Sequence, residues 1–100
     1  MRITTVFDNT ALREDVESGW GFACMVETDE ATVLFDTGGD GPKLLNNMAK
    51  LDLDGQTIEV IVLSHAHADH TGGLGALLDR GIRPTVYVPH SLPWRFKADV

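Results

Sequence analysis

The stretch Ser64-His65-Ala66-His67-Ala68-Asp69-His70-Thr71-Gly72-Gly73 constrains this chain more than any other. Three of the four histidines fall in it, with an aspartate between the second and the third. Imidazole and carboxylate are standard ligands for zinc and other first-row metals. The approach to the cluster matters as much as the cluster. Ile58-Glu59-Val60-Ile61-Val62-Leu63 is a short β-branched run that reads as a buried strand, so the histidines stand where a strand ends and the chain turns. In extended backbone His65 and His67 share a face. Asp69 and His70 follow as the chain bends, and Gly72-Gly73 gives it freedom to bend sharply. Two nitrogens from a strand end, with an oxygen and a third nitrogen from the turn, suit two adjacent metals better than one tetrahedral ion.

The rest of the chain supplies strands first, then alternating helix and strand. Ile3 to Phe7 reads as a strand, and Asp8-Asn9-Thr10 as a turn. Ala11 to Gly19 is acidic and non-periodic, which suits a solvated loop. Trp20 to Glu27 and Thr32 to Phe35 form a hairpin across Thr28-Asp29-Glu30-Ala31. Asp40 is placed to cap a helix with Pro42 in its first turn, and Leu44, Leu45, Met48 and Leu51 fall on one helical face. Leu74, Leu77 and Leu78 mark a short helix ending at Gly81. Thr85 to Val88 is a further strand, and Ser91 or Pro93 opens a last helix around Trp94-Arg95-Phe96. This order predicts a layered α/β (α+β) sandwich with a mixed sheet and flanking helices.

His-x-His-x-Asp-His after an apolar strand, followed by Thr-Gly-Gly-Leu, resembles the signature of the metallo-β-lactamase superfamily. Val33-Leu34-Phe35-Asp36-Thr37-Gly38 is similar to that family's strand ending in an Asp-Thr-Gly turn. Phe7-Asp8-Asn9, Trp20-Gly21-Phe22-Ala23 and Leu63-Ser64-His65 resemble the branch around dihydropterin-linked ribofuranosylaminobenzene phosphate synthases. The resemblance implies the N-terminal half of an αββα sandwich, a single partial domain over residues 1–100. It implies a metal-dependent hydrolase in which His65 and His67 hold one divalent metal while Asp69 and His70 hold the other. The implied nucleophile is a bridging hydroxide that Asp69 orients as the catalytic residue. Zinc suits the N/O donor set, one ion or two, and iron or manganese is compatible. The family's downstream ligands, a further His, a bridging Asp and a last His, have no counterpart here. The chain alone is therefore expected to show little or no hydrolase activity, and the uncovered face of its sheet to meet a second copy or a partner chain, unless the sequence is a fragment of a longer protein.

Asp36 carries two readings of equal weight: a hydrogen bond from behind the site that orients a ligand histidine, or an Asx-type turn. Thr71 is a helix N-cap or a hydrogen-bond donor to a metal ligand, with the cap preferred. His90 reads as a surface-turn histidine. Trp20 and Trp94 read as core or interface aromatics rather than substrate platforms. Two rival functions stand beside the hydrolase: a non-catalytic metal-binding or interaction half-domain, and a small dimeric aspartic protease using Asp36.

Charge and cysteine content trim the list of partners. A formal net charge of −7 argues against nucleic acid, since no basic face is available for phosphates. No apolar run is long enough to span a bilayer. The N-terminus lacks an apolar signal region and Cys24 is the single cysteine, which together predict a cytoplasmic protein; a small-molecule substrate, if the site is complete, is what the resemblance implies. Cys24 sits in Phe22-Ala23-Cys24-Met25-Val26 and reads as a buried small hydrophobe.

Overall fold

Apolar alternation and two amphipathic stretches become one mixed sheet with both helices on a single face. The computed structural model describes residues 1–10, 14–64 and 72–88. In chain order the elements are β1 (Arg2–Phe7), β2 (Ala23–Glu27), β3 (Thr32–Phe35), α1 (Gly41–Lys50), a 3-10 turn (Gly55–Thr57), β4 (Val60–Val62), α2 (Leu74–Asp79) and β5 (Thr85–Tyr87). The strands lie side by side in sequence order. β1–β2 and β2–β3 are antiparallel, whereas β3–β4 and β4–β5 are parallel and need crossovers, which α1 and α2 supply. Two crossovers of the same hand advancing in one direction put both helices on the same side.

Register separates the two faces. Thr4, Met25, Leu34, Ile61 and Val86 form one cross-strand row, and its apolar members lie in or against the core with Leu44 and Met48 of α1 and Leu74 and Leu77 of α2. Fully burying such a side chain stabilises by roughly 1.5–3 kcal/mol. A bulge between Thr5 and Phe7 lets consecutive Val6 and Phe7 both reach the core. The opposite face carries two further rows: Ile3-Val26-Val33-Val60-Thr85 and Thr5-Cys24-Phe35-Val62-Tyr87. None of the described helices packs there, and Ile3 and Tyr87 stay 61% and 60% exposed. The sequence-predicted uncovered face is thus a contiguous apolar surface.

Local signals explain most boundaries. Asp40 caps α1 by accepting from the Lys43 N–H at 3.0 Å, with Pro at the helix start as expected. Gly81, with φ +82°, follows the end of α2. Three expectations need correction. The strand drawn from Trp20 starts only at Ala23, because Gly21 takes φ +127° and breaks the extended run. The strand drawn from Ile58 starts at Val60, since Ile58 caps the 3-10 turn, although Glu59 still donates to the Thr32 carbonyl. The N-cap of α2 is Gly73, with no side-chain cap, not Thr71. The helix expected near Trp94 lies outside the described residues. No helix among the described residues is long and apolar enough to cross a membrane.

Candidate functional site

The end of β3 organises the site. Asp36 sits at φ +60°, a left-handed conformation that non-glycine residues rarely take and that Asp tolerates better than most. It is 1% exposed. Its N–H donates to the Val62 carbonyl at 2.8 Å. Its carboxylate accepts from the Ser64 N–H and from the Ser64 hydroxyl, each at 2.7 Å. That contact reaches 28 residues along the chain, so it joins two strand ends, which an Asx turn alone does not do. The carboxylate is buried and holds Ser64.

The other side of the same turn grips the start of α2. Gly73 donates its N–H to the Gly38 carbonyl at 3.2 Å. A Cβ at Gly73 would meet the Thr37 carbonyl oxygen, and the Leu44 side chain at 2.7 Å. Gly73 is therefore required by close approach. Its own φ of −83° is ordinary, so the bending freedom expected of it is not what the fold uses. Residues 36–39 thus hold both Ser64 and Gly73, which bracket the histidine segment. His65, His67, Asp69, His70 and Thr71 themselves lie outside the described residues, as does His90. Among the described residues no three His, Cys, Asp or Glu side chains form a metal-binding group.

A metal-binding function is tested by what brackets that segment. Three imidazoles and a carboxylate are a fitting donor set for zinc, manganese or iron. The donor run begins directly after Ser64, which a buried carboxylate fixes twice. The residues present fit a divalent cation.

The loop preceding β2 exposes its acidic Glu14, Asp15 and Glu17, as a solvated loop should, but its backbone is anchored on the core. Val16 is buried, and Asn47 on α1 is fully enclosed. The Asn47 amide donates to the carbonyls of Val6 and Glu17, each at 2.9 Å, and its oxygen accepts from the Glu17 N–H at 2.8 Å. Lys43 Nζ adds a bond to the Ser18 carbonyl at 3.3 Å, Gly19 donates to the Asp8 carbonyl at 3.1 Å, and Gly21 donates to Asn9 Oδ1 at 3.0 Å. Trp20, at the centre of this pinned backbone, is 64% exposed. It is not a core residue. Cys24 is half-buried on the uncovered face rather than enclosed, and burial pushes its thiol pKa up.

Ser64 and Asn47 are the residues sequence reasoning missed. Asn47 had a signal: it stands on the apolar stripe of α1 between Leu44 and Met48, where a polar side chain needs buried partners. Ser64 had none, because its partner is distant in sequence. A hollow of about 240 Å³ lined by Leu45, Met48, Leu53, Gln56, Arg80 and Ile82 lies by the C-terminal half of α1, away from the 36–39 turn.

Geometry and sequence now meet in one comparison. A model of the metallo-beta-lactamase superfamily matches residues 21–100. The chain belongs to that superfamily. Its five-stranded mixed sheet matches a subclass B3 metallo-beta-lactamase of Bradyrhizobium japonicum with a TM-score of 0.58 and 27% identity, over 65% of this chain and 25% of that one. A 7,8-dihydropterin-6-methyl-4-(beta-D-ribofuranosyl)-aminobenzene-5'-phosphate synthase of Methanocaldococcus jannaschii is 38% identical over 62% of this chain and 22% of its own length. An exodeoxyribonuclease, WalJ, of Streptococcus pneumoniae is 30% identical over 57% of this chain and 21% of its own. The superfamily match in this chain thus spans about a quarter of the length of these relatives.

Proposed function

We propose that this chain is the metal-ligating part of a metallo-β-lactamase-fold hydrolase. His65, His67, Asp69 and His70 would hold one or two divalent cations, zinc by preference. A cation so held acidifies coordinated water and polarises a carbonyl or phosphoryl oxygen. The chain's own contribution is positional. Asp36 fixes the backbone and hydroxyl of Ser64, so the first donor follows from a defined point. Gly38 fixes Gly73, three residues past the last donor, His70. The observation carrying this reading is that one turn grips both ends of a His-x-His-x-Asp-His segment in a chain of this superfamily.

The substrate class proposed is a small ester, phosphoester or amide. The relatives' names point to different reactions, and the net charge of −7 disfavours a polyanionic nucleic acid. The apolar sheet face supports a second proposal: the 100 residues work within a larger assembly, in which a second layer covers that face. Native mass spectrometry of the zinc-loaded chain tests the first. We expect bound zinc that the His65→Ala and Asp69→Ala variants lose. Equal zinc content in wild type and both variants overturns it.

A further inference from the structure

We propose that Trp20 is a stacking platform for a flat aryl or heteroaryl ring of the substrate, at the rim of the candidate metal site. The inference rests on the metallo-hydrolase reading for where the reacting group lies, and on three observations for the ring.

The first is exposure without slack. Trp20 is 64% exposed, yet the backbone around it is held by Asn47, Lys43, Asp8 and Asn9 through the bonds given above. An exposed indole on a fixed backbone loses little conformational freedom when a ring stacks on it. The second is placement. Gly39 comes so close to Trp20 that a Cβ there would collide with its carbonyl oxygen and lie 3.3 Å from ring atom Cε3. Gly39 belongs to the turn that holds Ser64 and Gly73, so the indole stands beside the bracket of the histidine segment. The Phe22 carbonyl, two residues on, accepts from the Gly38 N–H at 2.9 Å and ties the Trp20 strand entry to that turn. The third is the shape of the neighbourhood. Gly19 and Gly21 flank Trp20 in sequence and Gly39 lies against its ring, so none of the three adds a side chain to compete for its face. A core role within these 100 residues is excluded by exposure.

The test uses two non-hydrolysable probes that differ only in the ring, phenylphosphonate and methylphosphonate, titrated into the ¹⁵N-labelled zinc-loaded chain. The two indole N–H resonances are assigned with Trp20→Phe. We expect phenylphosphonate to move the Trp20 resonance and methylphosphonate to leave it in place. Trp20→Ala should raise the phenylphosphonate Kd about tenfold, as loss of a ring stack does, and leave the methylphosphonate Kd unchanged. Trp20→Phe, which keeps a ring, should stay within about twofold of wild type. Equal Kd changes for both probes, or an unmoved Trp20 resonance, overturn the platform. The two readings fail separately: phosphonate binding that ignores zinc removes the metal reading. If neither phosphonate binds, 6-methylpterin at millimolar concentration decides on the metal-free chain. A shifted Trp20 resonance then upholds the platform, and a stationary one overturns it.

Discussion

Asp36 shows how much one side chain can determine when it is buried in an unusual conformation. A left-handed non-glycine residue costs of order 1 kcal/mol or more and persists only where its surroundings over-determine it. Here the surroundings include the two bonds from Ser64 and the backbone bond to the Val62 carbonyl. Hydrogen bonds to charged groups contribute about 1.5–3 kcal/mol each. Asp36→Ala is therefore expected to lower stability by about 3 kcal/mol in urea titration, with Asp36→Asn milder because it keeps an acceptor and tolerates positive φ. The same Ala variant should weaken zinc affinity by about 10–100-fold, the usual cost of losing a group that orients ligands. Cys24 gives a pH signature. Burial raises its thiol pKa in the folded chain, so its stabilising contribution is full below the ordinary thiol pKa and is lost as pH rises through the folded value. The iodoacetamide alkylation profile of the native chain should accordingly sit at higher pH than that of the urea-unfolded chain.

Among the elements, α2 offers the sharpest contrast between two glycines. Gly73 abuts the Thr37 carbonyl, a backbone atom that cannot swing aside, whereas nothing lies within 4 Å of a Cβ at Gly75. Gly73→Ala should destabilise by about 2 kcal/mol through overpacking. Gly75→Ala should stabilise by roughly 0.5–1 kcal/mol through helix propensity. Thermal melts of the two variants should move in opposite directions. The strands Ile3–Phe7 and Thr32–Phe35, the hairpin, the Asp40 cap and the Gly81 stop were legible because each rests on neighbours in sequence. What stayed hidden depends on distance: the Asp36–Ser64 clamp, the Asn47 pins and the close approach at Gly73 all join segments at least 28 residues apart. The loop before β2 read as solvated because acidic residues dominate it, yet Val16 and the Glu17 backbone are what pack. The histidine segment was plain from its residue types and lies outside the described residues.

For the whole molecule, the asymmetry of the sheet decides behaviour in solution. One face is under helices, and the other presents Ile3, Val26, Val33, Phe35, Val60, Val62 and Tyr87. An apolar surface of this extent seeks cover. The isolated chain should bind ANS and self-associate with rising concentration. Ile3→Lys combined with Tyr87→Lys, two positions already exposed, should at least halve the ANS signal and shift sedimentation toward monomer without changing the Tm. An unchanged sedimentation profile would show that the face is not the adhesive one. The turn at residues 36–39 has a different consequence, because it works as a clasp. Bringing residues 64 and 73 together carries a loop-closure entropy, and the clasp meets it when the sheet forms. A cation arriving later has no ends to gather. On the proposed metal reading, a chelator should empty a protein clasped in this way without unravelling it.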